Sequence, residues 1–283
     1  MIIGRLCVSL PQILKLKHFR FCLKDSAKFE SKFFDNQHNS MENKNRIYGT
    51  ATDINGTSVQ KLFDERASRI KEGYTSVLLG DQNPDYARQW DEFEKKTVLP
   101  KLNLTGDNSF IDIGCGIGRW GEAVIPHCQY YCGCDFSSEM IAQAQQRLNF
   151  PNADFIPCSF QQIGEKITGK KFDRGIIAGV CMYINDSEIE ECIATFINLI
   201  ADHAILYLTE TVAVEKRLTL NEFWSDAMHT EYSSIYRTPD EYNQLYTAFL
   251  NAGFTITEQG FLPHFNKEKE YSETDRWYTI LQR

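Results

Sequence analysis

Two stretches in the first hundred residues repeat apolar side chains at helical spacing. In residues 58–72 apolar positions recur every three or four residues, and residues 86–97 repeat the pattern around Trp90 and Phe93. Such spacing places the apolar side chains on one face of a helix. The turn residues Gly80 and Pro84 lie between the two stretches. The pattern predicts two amphipathic helices joined by a loop.

After Pro100 the period changes, and short apolar runs alternate with helical patterns. Seven runs predict strands: 110–113, 130–134, 153–157, 172–178, 204–208, 254–259 and 277–282. Helical patterns begin at Arg119 and cover 137–148, 188–200 and 240–252. Strands that alternate with helices form a parallel sheet covered on both faces, whereas the closely spaced last pair indicates an antiparallel edge. We therefore expect an α/β fold.

Composition and charge narrow the class of protein. The chain has 283 residues, of which 42% are apolar, and this is enough for one sizeable folded domain. Its net charge is −8, which argues against a nucleic-acid partner. No apolar run is long enough for a membrane span, so we expect no membrane partner.

Residues 1–40 carry seven basic and three acidic side chains, a net +4. We interpret them as a poorly ordered extension upstream of Met41, with a targeting presequence as the alternative.

The nine cysteines are odd in number and irregular in spacing. Several lie within apolar runs, which is typical of reduced thiols packed in a core, and this favours a cytoplasmic location. Cys128, Cys132 and Cys134 are close in sequence, but no second Cys/His pair has ligand spacing. We therefore expect no metal site.

A glycine-rich turn follows the first predicted strand. Gly114, Gly116 and Gly118 lie between that strand and the next helix, where backbone can approach a ligand closely. Asp112 directly precedes the turn, and Asp135 ends the following strand. An acidic residue in that place is suited to accept hydrogen bonds from both ribose hydroxyls of a nucleoside cofactor.

Three segments together resemble the class I S-adenosylmethionine-dependent methyltransferases. They are FIDIGCGIGRW at 110–120, CDFSSEM at 134–140 and FDRGIIAGVCMY at 172–183. The Gly-x-Gly-x-Gly spacing differs from the Gly-x-Gly-x-x-Gly of nicotinamide enzymes. A dehydrogenase is therefore a less favoured interpretation than a methyltransferase. The resemblance implies a Rossmann-like seven-stranded sheet, mostly parallel with an antiparallel last strand, and a helical lid or cap. It also implies a lid at 41–100 and a methyltransferase domain at 101–283 with a cap insertion at about 212–239.

The resemblance further implies the cofactor and the residues that hold it. The cofactor is S-adenosyl-L-methionine, with Arg119 on the methionine carboxylate and Asp135 on the ribose. The family often has an aspartate after the third strand, where this chain has Ser159. The expected cofactor residues are Asp112, Gly114, Cys115, Gly116, Arg119, Asp135, Phe136, Met140, Ser159, Phe160 and Gly179. Each also has a plain structural alternative, such as a helix cap for Asp135 or core packing for Met140.

The long aromatic connection at 212–239 is the expected acceptor cap, because such connections are usually functional. The candidate substrate contacts there are Tyr232, Tyr236 and Arg237, which alternatively form the cap's own small core. Glu210 and His229 are candidate bases, and Tyr183 is expected on the methyl-transfer side. The partner predicted by these features is a small molecule that accepts a methyl group at oxygen, nitrogen or a carboxyl group.

Three other functions remain open at this stage. The first is methyl transfer to a peptide end in place of a small molecule. The second is cyclisation of the cofactor to azetidine-2-carboxylate, or its cleavage by a lyase, with release of methylthioadenosine. A cofactor-binding protein without catalysis is the third possibility.

Overall fold

The computed structural model describes residues 45–69, 74–78, 83–263 and 273–283. Apart from Asn45, these belong to one compact unit, Arg46–Arg283. The expected extension at 1–40 lies outside the described residues, as do Cys7 and Cys22. The strands are β1 (Arg46–Tyr48), β2 (Ser109–Ile113), β3 (Tyr130–Asp135), β4 (Ala153–Pro157), β5 (Phe172–Ala178), β6 (Ile200–Ala213), β7 (Leu218–Ser225), β8 (Thr230–Tyr236), β9 (Thr255–Phe261) and β10 (Thr274–Gln282).

Six of the helices follow the predicted apolar spacing, with ends that differ by a few residues, whereas the short helices at Thr75–Leu78 and Ile163–Lys166 were not predicted. They are α1 (Gly56–Arg69), α2 (Thr75–Leu78), α3 (Pro84–Val98), α4 (Arg119–Val124), α5 (Ser138–Arg147), α6 (Ile163–Lys166), α7 (Asp186–Leu199) and α8 (Pro239–Asn251). Ser137 caps α5 by accepting a hydrogen bond from the Met140 N–H at 3.1 Å. The side chain of Thr238 likewise caps α8 by accepting from the Glu241 N–H.

The main sheet has seven strands in the order β4-β3-β2-β5-β6-β10-β9. Neighbours from β4 to β6 pair in parallel, whereas β10 runs antiparallel to both β6 and β9. The predicted α/β, Rossmann-like sheet, mostly parallel with an antiparallel last strand, is confirmed. Because β2, β3 and β5 are parallel, Ile113, Asp135 and Ala178 end at the same edge of the sheet.

Helices cover both faces of this sheet, as the near-continuous apolar strands require. On one face Phe196 of α7 and Phe249 of α8 belong to a buried cluster with the sheet. On the other, Trp90 of α3 and Trp120 of α4 pack with Tyr207 of β6. The sheet edge that carries the glycine turn therefore rests on a rigid, closely packed base.

The cap differs from the helical form that the sequence suggested. Within 212–239, β7 and β8 form an antiparallel hairpin, and β1 pairs with β7 to complete a three-stranded sheet. The pattern explains this, because Leu218, Leu220, Tyr232 and Ile235 are buried and the segment is rich in β-branched and aromatic residues. The sequence analysis predicted a long functional connection, but it did not predict the two strands, whose side chains alternate with a period of two.

Arg237, which we expected to contact the substrate, is buried and binds residues between the end of β5 and the start of α7. Its side chain is 1% exposed. It donates to Asp186 Oδ1 at 2.9 Å and to the carbonyl oxygens of Cys181 and Ile184, both at 2.7 Å. These bonds fix the end of β8 against the segment after β5, so Arg237 lines neither of the cavities described below.

Replacement of this arginine should destabilise the fold. We expect Arg237→Gln to lower the free energy of unfolding by about 2–4 kcal/mol, because two carbonyls lose their charged donor and the Asp186 carboxylate keeps only Arg217. Urea denaturation measures the change. Lys170→Gln, which removes an exposed pair with Asp154, should cost less than about 1 kcal/mol. An equal stability of the two variants would contradict the role given to Arg237.

Candidate functional site

The glycine turn after β2 is held by the end of β3. The N–H groups of Gly114 and Cys115 both donate to the Cys134 carbonyl oxygen, at 2.8 and 2.9 Å. Gly116 donates its N–H to Asp135 Oδ2 at 2.9 Å. Gly114 has a φ of +70°, and a Cβ there would lie 2.3 Å from Val180 Cγ2. Glycine is thus required both by the backbone conformation and by the close approach of the chain after β5.

Asp135 binds the glycine turn directly through its carboxylate. Its Oδ1 accepts the Ser137 N–H at 2.9 Å while Oδ2 accepts the Gly116 N–H. Burial raises the pKa of Asp135 to about 6, although these two hydrogen bonds favour the charged form. The carboxylate is therefore ionised at pH 7 and keeps lone pairs for further donors.

A cavity of about 830 Å³, here called the first cavity, opens at this sheet edge. Most of the residues predicted to hold the cofactor line it: Gly114, Cys115, Gly116, Arg119, Asp135, Phe136, Met140, Ser159, Phe160 and Gly179. At Gly179, which has a φ of +68°, a Cβ would meet no described atom within 4 Å. The wall at Gly179 is thus bare backbone that faces open space.

Asp112 is brought close to the turn but is not part of the cavity wall. It is 1% exposed, and its Oδ2 accepts the hydroxyl of Tyr131 at 2.7 Å. Burial raises the pKa of Asp112 to about 7. The structure therefore places this carboxyl within the sheet, bound to Tyr131 and outside the cavity wall.

Arg119 forms a buried ion cluster with α3. Its Nη1 lies 3.0 Å from Asp91 Oδ1 and 2.7 Å from Glu94 Oε2. The hydroxyl of Tyr207 donates to Glu94 Oε1 at 2.9 Å. Burial opposes the charge on Glu94, but Arg119 and Arg276 hold the pKa of Glu94 below its usual value. Arg119 and Glu94 both line the first cavity, so its wall includes a cation and an anion in direct contact.

Sequence reasoning missed Glu94. The available signal was the pair Asp91 and Glu94, which lie three residues apart on the face of α3 that also carries the buried Trp90. Acidic groups on an apolar helix face require a buried partner. That partner, Arg119, lies 25 positions further along the chain, and nothing local in the sequence links the two.

The three candidate catalytic residues have different surroundings. Glu210 accepts hydrogen bonds from the N–H groups of Val180, Cys181 and Met182, at 3.2, 2.9 and 3.3 Å. Burial raises the pKa of Glu210 to about 7. It fixes the segment after β5 and is not among the residues that line the first cavity.

His229 and Tyr183 complete this set. His229 is exposed at the turn between β7 and β8, with a φ of +51°, and lines neither cavity. Tyr183 lines the first cavity, and its hydroxyl lies 2.9 Å from the hydroxyl of Tyr232. Burial raises the pKa of Tyr183, so its phenol stays protonated at neutral pH.

The expected lid lies against the residues that follow β3. Gln60 Nε2 of α1 donates to the Phe136 carbonyl oxygen at 2.9 Å, and Ser137 donates its hydroxyl to Asp64 at 2.5 Å. Phe63 packs on the rings of both Phe136 and Tyr183. Helix α1 thus covers part of the first cavity.

A second cavity of about 290 Å³ adjoins the first beneath the hairpin. Tyr232 and Tyr236, two of the predicted substrate contacts, line it. Four residues line both cavities: Leu78, Met182, Thr211 and Arg276. The shared wall means that a ligand in one cavity lies beside a ligand in the other.

Neither a metal-binding cluster nor a membrane-spanning helix is present in the described ranges. Within those ranges, no three acidic, histidine or cysteine side chains are grouped as a metal ion would require. None of the described helices has the length and apolar character needed to cross a membrane. The seven cysteines in these ranges are free and buried.

The buried Asp112 carboxyl makes stability fall as pH rises from about 4 towards about 7. Asp112 binds its proton more tightly in the folded state, so its stabilising contribution, present at low pH, is lost as pH rises towards about 7. We expect Asp112→Asn to gain about 2 kcal/mol relative to the parent between pH 5 and pH 8. Chemical denaturation at both pH values measures this.

Asp154→Asn serves as the control for this experiment. Asp154 is mostly exposed, and its hydrogen bond from Tyr130 lowers its pKa, so it titrates below this range. That variant should follow the parent's pH dependence. If Asp112→Asn also follows it, the raised pKa of Asp112 is wrong.

Comparison with known proteins finds methyltransferases among the proteins that this chain resembles. Residues 110–203 match a family model described as a methyltransferase domain. Phosphoethanolamine N-methyltransferase 1 of Caenorhabditis elegans is 25% identical over 128 residues, which are 44% of this chain and 26% of that protein. The match thus spans about a quarter of the curated relative.

Solved structures share the fold over most of the chain. Phosphoethanolamine N-methyltransferase 1 of Haemonchus contortus, in complex with phosphoethanolamine and S-adenosylhomocysteine, has a TM-score of 0.62 at 17% identity, covering 80% of this chain and 48% of that one. Magnesium protoporphyrin IX methyltransferase of Synechocystis, with bound S-adenosylmethionine, has a TM-score of 0.55 at 20% identity, covering 83% and 99%. Residues 110–203 therefore match a methyltransferase domain, and the sheet that contains them has the fold of these methyltransferases.

Proposed function

We propose that this methyltransferase domain uses S-adenosylmethionine to methylate an oxygen, nitrogen or carboxyl group of a small molecule. The observation that carries the proposal is Asp135: an ionised, buried carboxylate joined to the glycine turn, on the wall of a cavity at the carboxyl edge of the parallel strands. Cavities of this size and place are where α/β proteins bind small ligands. The relatives named above support the same cofactor and a small-molecule acceptor.

The donors and acceptors of the first cavity fit this cofactor. Asp135 would accept the ribose hydroxyls, since each of its oxygens accepts one backbone N–H and has a lone pair left. Arg119 and Glu94 offer a cation and an anion side by side, and an amino acid is a zwitterion with the same two charges. Phe136 and Met140 would pack on the adenine ring. At Gly179 the bare backbone leaves room for the ligand.

When bound, S-adenosylmethionine would supply a methyl group on a positively charged sulfur. A lone pair of the acceptor would form the new bond to carbon, and the carbon–sulfur pair would stay on sulfur. A hydroxyl or amine acceptor would pass a proton to solvent, whereas a carboxylate has none to lose. This chain's residues contribute position and exclusion of water. Helix α1 covers the cavity, and Tyr183 is held by Tyr232 and Phe63 at the methyl-transfer side. Of the three predicted catalytic residues we propose Tyr183 as the one that touches the ligands.

Two asparagine variants separate binding of the cofactor from support of the fold. We expect Asp135→Asn to weaken S-adenosylmethionine at least tenfold, because an amide presents one acceptor oxygen where the carboxylate presents two. Asp112→Asn, an equally buried site outside the cavity, should change the affinity less than threefold. Isothermal titration of each folded variant measures the affinities.

The products formed by the parent protein then test the reaction. With an acceptor panel we expect S-adenosylhomocysteine by mass spectrometry, and intact cofactor without an acceptor. Methylthioadenosine formed from the cofactor alone would contradict methyl transfer and favour cyclisation or a lyase. Equal affinities of the two asparagine variants would contradict the assignment of Asp135.

A further inference from the structure

The second cavity has the size and the wall of a site for one substituted ring. A volume of about 290 Å³ corresponds to about ten water molecules. Its wall is mostly apolar and aromatic, and includes Leu218, Phe223, Met228 and Tyr232. Such walls favour an apolar body, whereas a few polar groups fix its orientation.

Arg276 is the polar group placed between the two cavities. It lies opposite Thr211 in the pairing of β10 with β6, and both residues line both cavities. The guanidinium carbon lies 4.6 Å from the centre of the Trp90 ring, which orients the planar group by stacking. Arg276 is therefore a partly buried cation at the point where a methyl group would pass.

The other arginines nearby have anionic partners, and Arg276 differs from them. Arg46 pairs with Glu273, and Arg119 pairs with both Asp91 and Glu94. Over the ranges that the structure describes, the Arg276 guanidinium makes no ion pair within 4 Å and no hydrogen bond. It acts on the Glu94 carboxylate only at longer range, where it helps to lower the pKa of Glu94. A guanidinium in a partly closed cavity gains most from a planar anion that accepts two of its N–H groups.

Resting on the proposed function, we propose that the second cavity binds the methyl acceptor, and that the acceptor is a small ring compound whose carboxylate is held by Arg276. A carboxylate matches the single charge and the planar fork of one guanidinium. A phosphate dianion fits less well, because the carboxylates of Glu273 and Asp275 line the same cavity, and its other guanidinium, that of Arg46, is paired with Glu273. The bond to Arg276 would hold the acceptor against the first cavity, beside the sulfur-bound methyl group.

Matched ligand pairs test this assignment. The protein saturated with S-adenosylhomocysteine is titrated with benzoate, salicylate, anthranilate and 4-hydroxybenzoate, with the amide of each, and with phenyl phosphate. We expect at least one acid to bind at least tenfold more tightly than its amide and more tightly than phenyl phosphate. Methyl transfer from S-adenosylmethionine to the same compounds is followed as a second readout.

Variants of the arginine separate acceptor binding from cofactor binding. Arg276→Gln should remove the preference for acid over amide, and Arg276→Lys should keep part of it. Both should leave the affinity for S-adenosylmethionine within threefold of the parent. Arg147→Gln is the control, because Arg147 stacks on Tyr74 in the same way but lines neither cavity. It should retain the full preference.

Each contrary result has a definite meaning. If no acid in the panel binds at millimolar concentration, if amides or phenyl phosphate bind as well as the acids, or if Arg276→Gln keeps the preference, the acceptor assignment is wrong. If Arg276→Gln loses affinity for S-adenosylmethionine instead, the arginine serves the cofactor. If the parent protein does not bind S-adenosylmethionine at all, the proposed function itself fails.

Discussion

The hydrogen bond from the Gly116 N–H to Asp135 joins the ends of two neighbouring parallel strands. It fixes the glycine turn at the sheet edge and keeps a carboxylate in the cavity wall. The bond requires a backbone that leaves the ordinary regions at Gly114 and Gly116, with positive φ at both. It also requires a buried acid, whose pKa rises to about 6. The wall of the first cavity therefore depends both on the glycine backbone at Gly114 and Gly116 and on the buried Asp135 carboxylate.

The rest of the site is held by buried charges that tie distant segments to this edge. Glu210 gathers three N–H groups of the segment after β5, and Arg237 binds two of its carbonyls. Arg119 binds α3 through Glu94. Each of these groups bears a charge that would be unfavourable without its partners. The two cavities thus adjoin through a wall whose backbone has little freedom to move, which suits a transfer that depends on position.

Most of the fold and the cofactor wall could be predicted from the sequence. Strand and helix periods are local, and the glycine turn with Asp135 is a compact motif. The features that the sequence did not predict depend on contacts between distant residues, or have the period of a strand where a helix was expected. The hairpin of β7 and β8 was mistaken for a helical cap, since its alternation is short and broken by a register shift. Arg237 and Glu210 look like site residues in sequence, but each is bound to backbone groups that only the folded chain brings near. Glu94 and Arg276 were missed for the same reason.

The most direct test of this account is a crystal structure of the protein with S-adenosylhomocysteine bound. The account predicts the ribose hydroxyls within hydrogen-bond distance of the Asp135 carboxylate, and the amino-acid end of the ligand beside Arg119 and Glu94. The sulfur would then face the junction with the second cavity. A ligand bound elsewhere, or bound in the first cavity with its ribose away from Asp135, would contradict it.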